Sequence, residues 1–280
     1  MTEIGFLKGW IGRQERAADR ATPAPLAGLA ALLDHATPPW RAGEAPPLAH
    51  WLYFLPRARQ SELDVDGHPR RGGFLPPVEL PRRMYAGARI CFHAPIALDA
   101  ALERVSTIAD VAEKTGASGR MVFVTVRHEV FVDGTPALTE EQDIVYREAA
   151  KGGETPAAAA PDPRACDLTR RITPDPVLLF RYSALTFNGH RIHYDRGYAR
   201  DVEGYSGLVV HGPLLATLLM DHFLRAHPGA AVRRFSFRAR RPLFDTAPFD
   251  LCLRETPGGA ELWARDAGGV AAMTAEVEAS

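Results

Sequence analysis

The alternation of apolar and polar positions runs through the same order twice. Residues 25–35, PLAGLAALLDH, place Leu26, Leu29, Leu32 and Leu33 at helical spacing. A long Pro-rich stretch without periodicity follows, then four strand-like segments: MYAGARICFH, LERVSTIADVAEK, RMVFVTVRHEVFV and ALTEEQDIVYRE. In the third, Val122, Val124 and Val126 alternate as in a strand with one buried face, and Val130 and Val132 extend the pattern more loosely. In the second half the helix comes at 212–226, GPLLATLLMDHFLRA. Leu214, Leu215, Leu218, Leu219, Met220, Phe223 and Leu224 cover most of its circumference. A surface helix carries a narrower apolar stripe, so this one is predicted to be wrapped. Gly212 and Pro213 mark its start and HPG its end. VRRFSFRAR, FDLCLRET, AELWARD and GVAAMTAEVE then read as four more strands.

Between the halves, AAKGGETPAAAAPDPRA has no apolar face and reads as an extended linker. The expected organisation is a unit over 1–150, a linker over 151–165 and a unit over 166–280. A local echo supports duplication. RICFHAPI (89–96) and RFSFRARRPL (234–243) share an Arg, two residues, an aromatic, a basic residue and a Pro, about half a chain apart. A helix followed by four strands, twice, predicts an α+β architecture in which each curved antiparallel sheet buries its helix.

Composition narrows the function classes. The 280 residues are 46% hydrophobic and 24% charged, with a formal net charge of -1, so no global charge favours nucleic acid or an anionic membrane. No apolar run is long enough to span a bilayer, and the N-terminus lacks the apolar core of a signal peptide, so the expected location is the cytoplasm. Cys91, Cys166 and Cys252 are scattered outside any CxxC spacing, which argues against a disulfide framework or a zinc site. There is no Gly-rich phosphate loop, GxSxG elbow or HExxH helix, and DVDGH at 64–68 reads as a turn.

One run does concentrate chemistry. RYSALTFNGHRIHYD packs Asn188, His190, Arg191 and His193 into six positions. Buried polar groups cost free energy unless paired, so this is either a solvated loop or a place where polar atoms converge on a ligand. His193 is the natural proton carrier of the run, since imidazole titrates near neutral pH.

Together, FNGHRIHYD and the later VVHGPLLATLL resemble the signature of the MaoC-like (R)-specific enoyl-CoA hydratases of the hot-dog fold. That signature has an acid, Asn-Pro, an apolar residue and a His, then His-Gly at the mouth of the central helix. With GGFLPPVELPRRMYAG and EEQDIVYRE in the first half, the chain is similar to the fungal fatty-acid-synthase-like dehydratase subgroup. The resemblance implies a double hot-dog, with a catalytic second half and a degenerate, substrate-accommodating first half. It implies a hydro-lyase acting on an unsaturated acyl-CoA, itaconyl-CoA or mesaconyl-CoA being the specific expectation. His193 is carried over as the catalytic histidine. Asn188 stands where the family has an aspartate, His190 where it has Asn, and Arg191 where it has Pro; an Asn cannot ionise, so it cannot be a general base. The backbone N–H of Gly212, at the positive end of a helix, is the expected oxyanion donor. His190, Tyr194 and His211 are expected to shape or orient the substrate site. Arg191 is expected to meet a free carboxylate, and Arg238 and Arg240 the CoA phosphates. No metal and no cofactor beyond the CoA of the substrate is expected, and the partner, by analogy, is a second copy in a homodimer. A hot-dog thioesterase and a non-catalytic acyl-CoA-binding subunit remain the alternatives.

Overall fold

The computed structural model describes residues 3–116, 119–148 and 160–280, so most of the predicted linker lies outside the described residues. The first half comprises α1 (Ile4–Lys8), β1 (Gln14–Arg20), α2 (Pro23–Leu32), the two-residue β2 (Glu44–Ala45), β3 (Arg82–Phe92), the two-residue β4 (Ile96–Ala97), β5 (Ala101–Gly116), β6 (Gly119–Val132) and β7 (Thr135–Arg147). The second comprises β8 (Leu168–Ile172), α3 (Pro176–Thr186), α4 (Gly212–Ala226), β9 (Val232–Ala239), β10 (Phe249–Thr256), β11 (Gly259–Arg265) and β12 (Ala271–Ala279). Both predicted helices and all eight predicted strands are present. The additions are α1, α3, the two-residue β2 and β4, and the outermost strands β1 and β8, whose sequences QERAADR and LTRRI carry almost no apolar alternation.

The strands form one ten-stranded antiparallel sheet in the order β1-β5-β6-β7-β3-β9-β12-β11-β10-β8, the two halves meeting along β3 and β9. At this seam Ile90 pairs with Phe235, and these are the equivalent positions of the sequence echo. The two repeats are therefore related across that one residue pair. The seam is tight: Gly87, beside a bulge in β3, lies opposite Arg238, and a Cβ there would stand 2.3 Å from the Phe237 carbonyl oxygen.

Helix α4 is enclosed as its pattern predicts, with every residue from Leu214 to Leu224 buried and its faces packed on β3, β10, β11 and β12. The buried Asp221 within it accepts from Arg170 of β8 (2.5 Å), from His35 after α2 (2.5 Å) and from Arg225 one turn on (2.9 Å). A buried carboxylate needs such partners. The first-half helix behaves differently. Helix α2 packs mainly on α3, with Gly28 so close to Leu185 that a Cβ would fall 2.6 Å from its methyl. The far ends of β5, β6 and β7 are covered instead by α1 and residues 74–80, which build a separate apolar cluster around Ile108, Val111, Val122 and Val124. This leaves the inner face of the first-half sheet, between the two apolar regions, free to line a cavity. No helix among the described residues is long and apolar enough to cross a membrane.

Gly87→Ala should force β3 and β9 apart. Overpacking of this kind costs about 1–3 kcal/mol, so the urea midpoint should fall measurably; an unchanged midpoint would show that the seam can relax.

Candidate active site

Helix α3 delivers the motif. Asp175 caps its start by accepting from the Leu178 N–H (2.7 Å). At its end Phe187 turns left-handed (φ 48°), and the Asn188 N–H bonds back to the Ser183 carbonyl (2.8 Å). Asn188 Oδ1 then accepts from the His190 N–H (2.9 Å), which leaves the amide Nδ2 for other use. The segment leading to α4 grips the next turn. The Val209 N–H donates to the Ile192 carbonyl (3.0 Å), and His193 Nδ1–H donates to the Val209 carbonyl (2.7 Å).

That second bond settles the tautomer: with the proton on Nδ1, the lone pair is on Nε2. Nε2 has no hydrogen-bond partner among the described residues, and it is not one of the fully enclosed unpartnered atoms. The residue as a whole is 7% exposed. The His193 ring stacks on His211 (centroids 3.6 Å, 18° between planes). His211 is the residue that caps α4, so the imidazole lies against the helix tip that begins at Gly212. His211 is fully buried, and its Nε2 is bonded to Ser183 Oγ (2.9 Å). Burial pushes the His193 imidazolium down to about 4 and holds His190 and His211 below the usual histidine range as well. At neutral pH these rings are uncharged, which is what lets three of them crowd together.

The turn at 64–68 has a larger part than its sequence indicated. Its His68 lies 4.1 Å, centroid to centroid, from His190, which in turn meets His193 edge-on at 5.3 Å. Asp66 Oδ2 accepts from His68 Nδ1 (3.0 Å), and the Asp66 carbonyl accepts from the Arg191 N–H (2.9 Å). The backbones touch: at Gly67 (φ +89°) a Cβ would come within 1.9 Å of the Gly189 carbonyl oxygen. Only glycine fits that conformation and that contact. Asp66, His68 and His190 bring ligand-type atoms within 4.8 Å of one another, although His68 Nδ1 is already engaged by Asp66. The sequence signal for this site was the DG pair flanked by Asp and His, which looks like any tight turn.

A cavity of about 1670 Å3 runs between the inner face of the first-half sheet, the loops over 50–75 and α3. Asn188, Arg191, Tyr194, His68, Ser183 and Pro213 line it on the motif side. His193, His190, His211 and Gly212 adjoin these residues without forming the wall themselves. Several expectations therefore change. His193 and Gly212, expected to touch the substrate, are not among the residues that form the wall. His211 does not reach the cavity; it is the plate on which His193 stacks. His190 likewise packs between two rings instead of facing substrate. Tyr194 lines the cavity and donates to the Gly189 carbonyl (3.1 Å). Arg191 also lines it, but its guanidinium pairs with Asp195 (2.7 Å) and covers the Tyr198 ring (4.2 Å), so it is committed within its own turn. Arg238 and Arg240 are exposed and absent from the lining. Phe235 and Phe237 take the inward positions of β9, and strand alternation turns Arg238 outward.

The opposite wall carries a second polar cluster that the sequence reading missed. Glu140 of β7 is buried and accepts from His50 Nε2 (2.9 Å), Trp51 Nε1 (3.1 Å) and Tyr85 Oη (2.6 Å). Burial alone would raise its carboxyl; the bond and charge of His50, with His128 and Tyr85, outweigh that and hold it near about 2. Tyr85 connects this cluster to the helix tip, since a Cβ on Gly212 would meet Tyr85 Cβ at 3.7 Å.

Comparison with known proteins bears on the family and the fold. Residues 48–245 match the model of the hydroxyacyl-thioester dehydratase type 2 family. The chain is 48% identical over 273 residues, 96% of each chain, to the mesaconyl-C(4)-CoA hydratase of Chloroflexus aurantiacus. It is 27% identical to the mitochondrial hydroxyacyl-thioester dehydratase type 2 of Schizosaccharomyces pombe, covering 74% of this chain and 77% of that one. Among solved structures, a Mycobacterium tuberculosis protein described as a double hotdog fold superposes with a TM-score of 0.58 at 12% identity, covering 96% of both chains.

The neutral histidines make stability depend on acid. Unfolded, His193 binds its proton near its ordinary value of 6.5; folded, it does so only near 4. Its contribution is complete above about pH 6.5 and is lost as pH falls towards about 4, because the unfolded chain then binds more protons. Urea denaturation from about pH 7 down to about pH 4.5 should show falling stability, and His193→Gln should flatten the slope by up to about 1.4 kcal/mol per pH unit. An unchanged slope would mean that the ring is already charged in the folded state.

Proposed function

This chain belongs to the hydroxyacyl-thioester dehydratase type 2 family, and we propose that within it the protein adds water across the double bond of a short unsaturated dicarboxylic acyl-CoA, of mesaconyl or itaconyl type, or removes water in reverse. The observation that carries the reading is the neutral His193, its tautomer set by the Val209 carbonyl, stacked on the residue that caps α4.

Hydration needs a base for water, an acid for the α-carbon and donors for a thioester oxygen that gains enolate character. His193 Nε2 takes a proton from the water as its oxygen bonds to the β-carbon. The Asn188 amide holds that water without ionising. Electron density moves to the thioester oxygen, which the Gly212 N–H stabilises at the positive end of α4; as the first residue of a helix, Gly212 has no intrahelical acceptor for that N–H. The imidazolium then returns its proton to the α-carbon, leaving His193 neutral. His190 and His211 are positioning residues that keep the ring desolvated and oriented.

The substrate class rests on the relative at 48% identity and on the cavity. Its volume exceeds the roughly 300–1,000 Å3 of ordinary ligand sites, as a CoA thioester requires. Arg57, Arg70 and Arg83 line it and suit the phosphates, because the planar guanidinium can hold two oxygens at once.

The purified protein should convert crotonyl-CoA, mesaconyl-CoA or itaconyl-CoA to a hydrated product by mass, without release of free thiol; thiol release would instead make it a thioesterase. His193→Ala should lose about 10²–10⁴-fold in kcat while melting as wild type. The kcat/KM profile should be flat through neutral pH and fall only as His193 protonates, towards about pH 4; Asn188→Asp, which adds an ionisable carboxyl, should move that profile. A wild-type rate and profile in both variants would remove the motif from the mechanism.

A further inference from the structure

The inner face of the first-half sheet is unusual for a wall facing an acyl chain. Along β5 the inward positions are Leu102, Arg104, Ser106 and Ile108, and on the neighbouring strands His128, Glu140 and Gln142 face the same way. An alkyl chain against such a wall would desolvate polar groups without pairing them. Most of these groups satisfy one another. His128 bonds Ser106 (2.9 Å) and Gln142 (3.2 Å), and Glu140 has its three donors.

Arg104 is the exception. It lines the cavity, and its guanidinium lies over the Phe54 ring (5.1 Å). Its nearest carboxylate, Glu15, is 3.7 Å away, beyond hydrogen-bond reach, and its Nε is fully enclosed with no acceptor. None of its five donors is used among the described residues. Two further cavity-lining residues also carry enclosed, unpartnered atoms: His50 at Nδ1 and Tyr182 at Oη. Tyr182 meets the His211 ring edge-on (5.1 Å), so these atoms extend from the neighbourhood of the helix tip along the wall. Orphaned buried donors are expensive, and the enclosed Arg104 Nε and Tyr182 Oη on one cavity point to an incoming acceptor. Glu140 keeps its negative charge engaged by its three donors, and Arg104, only loosely paired with Glu15, is the positive charge that β5 offers to the cavity.

We propose that Arg104, assisted by Tyr182, is the specificity-determining residue of this wall and receives the free carboxylate of a dicarboxylic acyl chain. The inference rests on the hydratase reading above and replaces Arg191, which is occupied by Asp195, in the role first expected for it.

Saturated esters test recognition apart from turnover. By calorimetry, the wild-type protein should bind succinyl-CoA at least about tenfold more tightly than butyryl-CoA, as a charge-assisted hydrogen bond allows. Arg104→Gln should abolish that preference. Arg104→Lys, which keeps the charge without the planar fork, should retain part of it and serves if the Gln variant fails to fold. In turnover, Arg104→Gln should lower the ratio of kcat/KM for mesaconyl-CoA to that for crotonyl-CoA by about 10–100-fold. Equal affinity of the wild type for the two saturated esters, or a ratio unmoved by Arg104→Gln, would overturn the assignment. A wild type that prefers succinyl-CoA but hydrates nothing would uphold the subsite and sink the hydratase reading; hydration of crotonyl-CoA with no such preference would do the reverse.

Discussion

The site is organised by one hydrogen bond, from His193 Nδ1–H to the Val209 carbonyl. It holds the ring in a single tautomer, ties the motif loop to the segment that enters α4, and sets the imidazole flat against His211. Everything else in the site follows from keeping that ring uncharged and close to a helix tip. The three crowded histidines are tolerable only because burial suppresses their protonation. The helix tip in turn is held by the enclosure of α4 and by the buried Asp221 with its three cationic or imidazole partners.

The two halves share a sheet but differ in what they bury. The second wraps its strands around an apolar helix and makes a core. In the first, α2 has moved onto α3, α1 and residues 74–80 cover the strand ends, and the vacated inner face is polar. Losing a central helix costs packing, yet it opens the space that the cavity occupies. The shared sheet thus forms one frame in which the second half encloses a helix while the first half lines a cavity.

Much of this was legible in the chain. The leucine pattern of α4 and the valine alternation of β6 identify elements because burial is nearly complete on the faces involved. The motif run places Asn188 and His193 within one loop after α3. What stayed hidden depends on contacts between residues distant in sequence. Nothing local to DVDGH shows that it docks on Gly189, and nothing in β7 shows that Glu140 points inward to three donors. The edge strands β1 and β8 were invisible because they are largely exposed and so carry no alternation. Alternation put Arg238 and Phe237 on opposite faces of β9, but only the fold decides that the phenylalanine face is the inner one, which leaves Arg238, and Arg240 just past the strand, exposed.

The backbone contact between Gly67 and Gly189 has one more consequence. A loop encoded early in the chain must settle against one encoded more than a hundred residues later before the histidines can close ranks. Both halves line the cavity, so a partly synthesised or half-melted molecule has no assembled cavity to expose to reactive thioesters. Competence and completeness of folding are coupled through two residues that have no side chain.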